Sequence, residues 1–212
     1  MTALDLLKEI SNENNGLILT KTAADKGVSR ASLSQLCKDG KITRITNGQY
    51  VLSEDLNDEM LSIGIRSKLI IFSHESALFL NGISDRTPFE HTVTIPSSKT
   101  LARSISSECK IYYIKDELHD LGKTQLATSM GNIVYAYDMD RTICDIVRSR
   151  KRMADETFIS SIKNYAVNPR KNLSNLSLYA TKMGILSQVR QYLEVLLWVI
   201  QRQWASRQKL EI

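Results

Sequence analysis

Two runs of alternating residues near the N-terminus, KITRIT and QYVL, are separated only by Asn47 and Gly48. An Asn-Gly pair between such runs is the strongest short-range signal for a β-hairpin, because a type I′ turn requires positive φ at both central residues. A tight hairpin at this position restricts the preceding fifty residues to a small domain in which helices pack against a short antiparallel ribbon.

Three short helices are predicted before the hairpin, over residues 3–12, 21–26 and 30–39. Thr20 and Ser29 are the expected N-caps of the second and third helices. The order is helix, short strand, helix, tight turn, helix and hairpin, which is the order of a winged helix-turn-helix domain.

In a helix-turn-helix pair the second helix enters the major groove of DNA, and here that helix begins at Arg30. Arginine matches the edge of guanine and glutamine that of adenine, so Arg30 and Gln35 are candidate base contacts. Lysines contact phosphate, and the hairpin is placed to touch the DNA backbone or minor groove. A small three-helix domain with a polar surface, or a winged helix that binds protein, remains an alternative. The predicted DNA-binding residues are Lys21, Ser29, Arg30, Ser32, Ser34, Gln35, Lys38, Lys41, Arg44, Asn47 and Gln49.

The rest of the chain predicts a second, mixed domain, so we divide the protein into a DNA-binding domain at 1–55 and an α+β domain at 56–212. The polar segment 53–59 is a linker or the start of a helix. Later segments are strand-like first and helical afterwards. The expected strands are 68–72, 89–95, 110–114 and 133–137, and the expected helices are 73–80, 141–152, 155–167, 173–183 and a last one from 185 onward.

Composition limits the class of protein. Three cysteines lie far apart with no CxxC, which excludes a disulfide scaffold and a cysteine-based zinc module and is typical of a reducing cytoplasm. The start MTALDLLKEI has no pattern of a signal peptide. The longest apolar run, 195–200, is too short for the roughly 20 residues that span a bilayer, so no membrane contact is expected. A C-terminal apolar stripe over 193–200 predicts core, a partner surface or a dimer seam.

Positive charge is concentrated in two zones. Residues 20–50 hold six basic and two acidic side chains, and residues 141–212 carry a net charge of +8. We hypothesise that the second zone assists DNA binding or contacts RNA, with a solvated helix face as the alternative. Its candidate residues are Arg148, Arg150, Lys151, Arg152, Lys163, Arg170 and Lys171.

The segment IVYAYDMDRT at 133–142 resembles the nucleophile loop of haloacid-dehalogenase-type phosphatases, in which Asp138 would be the nucleophile and Asp140 the acid/base with magnesium. Only about 70 helical residues follow, with no later strand for the acidic pair that holds the metal, and Arg141 replaces the usual glycine. The structural alternative is a strand end followed by a helix that Asp140 caps.

The remaining chemistry-bearing residues predict no enzyme, catalytic residue, metal or cofactor. His74, His91 and His119 lack metal-ligand spacing, and His74 is expected to make an orienting hydrogen bond within the fold. Neither a GxSxG elbow, a P-loop nor a GxGxxG motif is present.

Three segments together resemble the AbiE-type antitoxins (AbiEi family) of bacterial type IV toxin–antitoxin systems, which act in abortive infection. They are the N-terminal domain with DGKITRITNGQYVL, the segment FSHESALFLNGISDRTP at 72–88 with HTVTIP at 91–96, and YDMDRTICDIV at 137–147. The likeness runs from about residue 3 to about 190, and Asp140 stands where glutamate is usual. The end, LLWVIQRQWASRQKLEI, has no counterpart in this likeness.

The resemblance implies a cytoplasmic protein with two roles in phage resistance. The N-terminal domain would bind inverted repeats in its own promoter and repress its operon. The C-terminal domain would counter a nucleotidyltransferase-like toxin without forming a stable complex with it. A transcription factor whose C-terminal domain senses a ligand or dimerises is the alternative, and a magnesium-dependent phosphatase is a remote one.

Overall fold

The computed structural model describes residues 1–84 and 86–193 as an α+β protein, which agrees with the predicted fold class. The chain divides into two compact units, Met1–Arg66 with Thr128–Asn132, and Ser67–Ala127 with Ile133–Ile212. The first unit therefore extends past the expected boundary at residue 55. The predicted apolar stripe at the C-terminus lies, from residue 194 onward, outside the described residues.

The first unit surrounds a small core with helices and one three-stranded antiparallel sheet of order β1-β3-β2. Its elements are α1 (Ala3–Glu13), β1 (Ile18–Leu19), α2 (Thr20–Asp25), α3 (Arg30–Lys38), β2 (Ile42–Thr46), β3 (Gln49–Leu52) and α4 (Glu59–Gly64). The core consists of apolar side chains from both helices and strands, including Leu7, Ile10, Leu33 and Ile42.

The β2–β3 hairpin is confirmed, but its turn differs from the predicted type I′. Thr46 pairs with Gln49 across the two-residue loop, and the register shifts between Arg44 and Thr46. Gly48 has a φ of +82°, whereas Asn47 is not among the residues with positive φ. A bulge in β2 therefore supplies the local twist that a second left-handed residue would have supplied in a type I′ turn.

The segment 53–59 contains both predicted features, a short connection and the start of a helix. This helix is α4, and Asp58 caps it by accepting from the Leu61 N–H. The other carboxylate oxygen of Asp58 accepts from the Thr128 hydroxyl at 2.5 Å and the Asn132 amide at 2.7 Å. These bonds fix 128–132 within the first unit.

The second unit contains a mixed five-stranded sheet of order β6-β5-β4-β8-β7. Strands β5 and β6 are parallel, as are β4 and β8, while β4–β5 and β7–β8 are antiparallel. The sequence did not predict β7, whose residues alternate weakly in polarity. The strands are β4 (Ile71–Phe72), β5 (His91–Pro96), β6 (Cys109–Ile114), β7 (Lys123–Ala127) and β8 (Ile133–Tyr137).

Helices of the second unit form its main hydrophobic core around α7. Ile143, Cys144 and Ile146 of α7 are completely buried and pack against side chains of the later helices. Residues 186–193 are also helical. The helices are α5 (His74–Leu80), α6 (Arg103–Ser106), α7 (Met139–Arg148), α8 (Asp155–Val167) and α9 (Leu173–Lys182), with 3₁₀ turns at Asp116–Leu118 and Arg150–Arg152.

Among the described residues, no helix combines the length and apolar character needed to cross a bilayer.

Candidate functional site

Helix α3 has one buried side and one exposed side, as its sequence predicts. Ser29 caps it by accepting from the Ser32 N–H at 3.0 Å. Leu33 is buried, and Leu36 and Cys37 pack partly buried against the core of the first unit. The opposite side exposes the small and polar residues Ala31, Ser34, Gln35 and Lys38.

The exposed side of α3 lies in a part of the chain rich in free positive charge. Lys21, Arg30, Lys38 and Lys41 are exposed, and none of them forms an ion pair with a described residue. Lys26 differs, because its ammonium group contacts Glu9 at 3.3 Å and Glu13 at 2.8 Å. Arg44 also forms no ion pair with a described residue, so five of the six cations of this zone are available to an anion without first breaking an ion pair.

Several predicted contact residues already make hydrogen bonds within the first unit. The hydroxyls of Ser29 and Ser32 are 2.9 Å apart, and Ser32 is half-buried. In the hairpin, Arg44 donates through Nη2 to Asn47 Oδ1 at 2.7 Å. Arg44 and Asn47 are exposed, so this bond holds the arginine over the turn.

The prediction that Gln49 contacts DNA is wrong. Its side chain is buried, donates to the Ser62 carbonyl at 3.1 Å and accepts from the Ser62 hydroxyl at 2.5 Å. A buried amide with both ends bonded cannot reach a ligand without exchanging those bonds, so Gln49 fixes β3 to α4 instead.

The seven basic residues predicted as a second surface are not brought together as one patch. Arg148, Arg150, Lys151 and Arg152 line a single cavity at the C-terminal end of α7. Lys163 is exposed on α8 and does not line this cavity. The other two bond to backbone carbonyls, Arg170 to Asn81 at 2.8 Å and Lys171 to Asn168 at 3.2 Å.

The two carboxylates of the DMDRT motif both bond within the fold. Asp138, not the predicted Asp140, caps α7 by accepting from the Arg141 N–H at 2.7 Å, and its other oxygen accepts from the Tyr179 hydroxyl. Asp140 lies inside the helix, is buried and accepts from the Tyr165 hydroxyl at 2.8 Å and the Asn172 N–H at 2.9 Å.

Burial changes the pKa values of Asp138 and of its hydrogen-bond partner Tyr179. Burial raises the pKa of the Asp138 carboxyl, and burial together with the adjacent Asp138 carboxylate raises the pKa of Tyr179 to about 12. Tyr179 therefore remains protonated and a hydrogen-bond donor at neutral pH. These contacts support the interpretation of the motif as a helix start that ties α7 to the later helices.

Sequence reasoning did not predict that the arginine of this motif is fully buried. The guanidinium of Arg141 lies 4.1 Å from the centroid of the Tyr137 ring and 3.3 Å from Asp145, and Nη1 donates to the Leu118 and Leu121 carbonyls. Arg141 and Asp145 are both completely buried. The i, i+4 spacing of opposite charges around the apolar residues Ile143 and Cys144 is the signal that could have revealed this pair.

A second buried polar group is His74, for which the predicted orienting hydrogen bond is confirmed. Its ring nitrogens lie 3.0 Å from the hydroxyls of Ser73 and Ser149, and the ring stacks on Tyr112 with centroids 3.4 Å apart. The residue has a φ of +46°, which is uncommon for a residue other than glycine, although histidine, asparagine and aspartate occur there more often than most.

Burial, and then the positive charges of Arg148 and Arg152, hold the pKa of His74 well below its ordinary value. His74 is thus neutral in the folded protein near pH 6. In the unfolded chain its imidazole has a pKa of about 6.5 and binds a proton below that pH. The unfolded state is favoured by that proton, so the free energy of unfolding should decrease as the pH falls below about 6.5, by up to about 1.4 kcal/mol per pH unit.

This decrease is measured by urea unfolding of the wild type and of His74→Gln between pH 5 and 8. The variant should have a flatter profile, because glutamine does not titrate. His119, whose pKa burial also lowers, and Asp145, whose pKa burial raises, are present in both proteins and cancel in the difference. Parallel profiles for the two proteins would contradict the prediction.

Within the described residues, no group of three or more His, Cys, Asp or Glu side chains is close enough to hold a metal ion. The cysteines Cys37, Cys109 and Cys144 form no disulfide bond with one another, and burial strongly raises the pKa of Cys144, so this thiol is protonated at neutral pH.

The two units define an α+β protein with an exposed basic face on a short helix of the first unit and a basic cavity in the second. The crystal structure of the RV2827C protein from Mycobacterium tuberculosis has a similar fold, with a TM-score of 0.64 and 14% sequence identity. The similarity covers 91% of this chain and 74% of that chain. No protein-family model matches the chain, and no curated protein matches it significantly. At this identity the likeness extends to the fold alone.

Proposed function

We propose that the first unit is a winged helix-turn-helix domain that binds the protein's own promoter. In this proposal α2 and α3 are the helix pair, and the β2–β3 hairpin is the wing. The observation that carries it is the exposed side of α3, where small polar residues and unpaired cations occupy the face that such modules place in the major groove.

The contacts assigned to individual residues follow from their positions. Arg30, Ser34 and Gln35 are exposed on α3, where they would meet base edges. Lys21 and Lys41 would contact phosphate on either side of it. Gln35 donates to Asp39 at 2.9 Å, an exposed bond that it would exchange for an adenine edge on binding.

We propose further that the protein is an AbiE-type antitoxin, in which promoter binding represses the operon and the second unit counters a nucleotidyltransferase-like toxin. The sequence likeness described above supports this role. The basic residues of the second unit would add a contact to DNA or to RNA that the toxin modifies. A nucleotidyltransferase-like gene beside this one, whose growth arrest is relieved by co-expression of the chain, would distinguish an antitoxin from a plain transcription factor.

Binding of the full chain to the DNA upstream of its own coding region, at a series of salt concentrations, tests the DNA-binding part. Phosphate contacts release counterions, so log K should fall linearly with log salt, with a slope of about −0.9 per phosphate neutralised. Lys38→Gln and Lys41→Gln should each make the slope shallower by about 1. The full chain is needed because the first unit includes residues 128–132.

The matched control is Lys182→Gln, which removes an exposed lysine from the end of α9 and should leave the slope unchanged. Equal affinity for the upstream DNA and for unrelated DNA of the same length, at every salt concentration, would overturn the proposal of promoter recognition.

A further inference from the structure

A cavity of about 560 Å³ opens in the second unit beside the C-terminal end of α7 and the 3₁₀ turn that follows. Its walls come from β6, from Val147–Arg152 and from the helical segment 186–193. This volume is within the range of roughly 300–1,000 Å³ that is usual for small-ligand sites. The cavity is therefore large enough for a mononucleotide.

Positive charge dominates the lining of this cavity. It contains Arg148, Arg150, Lys151 and Arg152, while none of its described lining residues is acidic. Arg150 is neutralised by an ion pair with Asp155 outside the lining. Lys151 and Arg152 have no such partner among the described residues, and the buried Nε of Arg148 has no hydrogen-bond partner.

Like charges that line one cavity repel each other, and the repulsion is relieved when an anion binds between them. Arg148, Lys151 and Arg152 form no ion pair with a described residue, so three unpaired cations line one concave space. Of the common biological anions, phosphate groups match arginine best, because a guanidinium donates two parallel hydrogen bonds to their oxygens.

The cavity wall is also held rigidly. Tyr112 is 1% exposed and lies between the His74 ring and the Arg152 guanidinium, whose central carbon is 4.1 Å from the ring centroid. His74, in its left-handed conformation, positions the Ser149 hydroxyl, which lines the cavity. Strained backbone of this kind is concentrated at functional sites. The stack aligns the arginine before any ligand arrives.

Neutral donors complete the lining. Ser149 supplies a hydroxyl, and Gln188 and Gln191 supply side-chain amides from the helical segment opposite. Tyr113, at 49% exposure, lies in the same lining and offers an aromatic face on which a base can stack. Cations for the phosphate and an aromatic ring for the base are the two parts of a nucleotide site.

We propose that this cavity binds the terminal phosphate of a nucleotide, supplied either as a free nucleoside phosphate or as the 5′ end of a nucleic-acid strand. This ligand chemistry follows from the cations of the cavity and does not depend on promoter binding by α3. A chain that fails to recognise its promoter can still bind ATP, so the two proposals fail separately.

Isothermal titration calorimetry of the full chain at about 0.15 M salt tests this site, since screening at that ionic strength weakens non-specific attraction. The probes are inorganic phosphate, ATP, and a short single-stranded RNA with either a 5′-phosphate or a 5′-hydroxyl. Binding of ATP identifies a free nucleotide as the source. Preference for the 5′-phosphorylated RNA over its 5′-hydroxyl counterpart, without ATP binding, identifies a strand end.

Lys151→Gln with Arg152→Gln should weaken binding of the preferred probe by about tenfold or more, since each loses a charge-assisted bond. Lys151→Gln alone tests the site without disturbing the Tyr112 stack and should still weaken binding. Lys182→Gln is the matched control, because it removes an exposed lysine of the same unit from outside the cavity. Absence of heat with every probe at millimolar concentration, or affinities that the cavity variants leave unchanged, would overturn the inference.

Discussion

Gly122→Ala should destabilise the second unit by about 2–6 kcal/mol. Gly122 has a φ of +75°, and a Cβ there would lie 2.5 Å from Arg141 Cβ, 3.0 Å from its Cγ and 3.3 Å from Tyr179 Cε2. A non-glycine residue in this backbone region costs about 1–3 kcal/mol, and overpacking a core adds about 1–3 kcal/mol. A decrease of this size is a substantial fraction of the free energy of unfolding of a typical domain, about 5–15 kcal/mol.

Arg141 cannot relieve the clash cheaply. It is fully buried, and it would have to give up its bonds to the Leu118 and Leu121 carbonyls and its contact with the Tyr137 ring. The α7 backbone is in turn fixed by Asp138, which caps the helix and bonds to Tyr179. The alanine therefore pushes against groups that are held from several sides.

Urea unfolding followed by circular dichroism measures the effect, with Gly184→Ala as the matched control. Gly184 has a φ of +69° with no atom within 4 Å of a Cβ, so its substitution carries the same backbone cost of about 1–3 kcal/mol without the clash. The difference between the two variants isolates the contact with Arg141. Equal losses of stability would show that Arg141 moves aside freely.

Reversal of charge at both ends of α3, by Arg30→Glu with Lys38→Glu, should lower the affinity for promoter DNA by about 100-fold or more. Each change removes a favourable contact of about 1–3 kcal/mol and adds repulsion from phosphate. Both side chains are exposed and make no ion pair with a described residue. Fluorescence anisotropy with labelled promoter DNA measures the change.

The fold should survive this double reversal. A glutamate in the first turn of α3 interacts favourably with the helix dipole, and one in the last turn interacts unfavourably by a similar amount of about 0.3–1 kcal/mol.

A matched double reversal at Lys115 and Lys182, which are exposed in the second unit, should leave affinity within about threefold. An α3 variant that keeps wild-type affinity while the control loses it would move the DNA contact to the second unit.

The elements predicted best are those specified by neighbouring residues. Ser29 caps α3 as expected, the hairpin closes at Asn47 and Gly48, and β8 has its predicted bounds of 133–137. Helix α8 likewise runs from Asp155 to Val167. Capping, turn formation and apolar periodicity act over a few residues, so they can be recognised in a single chain.

The predictions that failed depend on contacts between distant segments. The alternation of residues in the hairpin predicts that Gln49 faces outward on the wing, yet its amide is buried against Ser62. Asp140 is the predicted cap of α7, but Asp138 caps the helix, while the Tyr165 hydroxyl and the Asn172 N–H donate to Asp140 inside the unit. Strand β7 is stabilised mainly by pairing with β8 along its whole length, which its own weak pattern does not indicate.

The helical and hairpin elements of the first fifty residues, the basic side of α3 and the α+β class can be predicted from the amino-acid sequence, because each depends on local order and charge. The burial of particular polar groups cannot be predicted in this way, because it depends on how the whole chain packs. Arg141 lies inside the second unit, His74 is stacked on Tyr112, and four of the seven basic residues line one cavity. Burial and clustering depend on segments that are far apart in the chain and meet only when it folds.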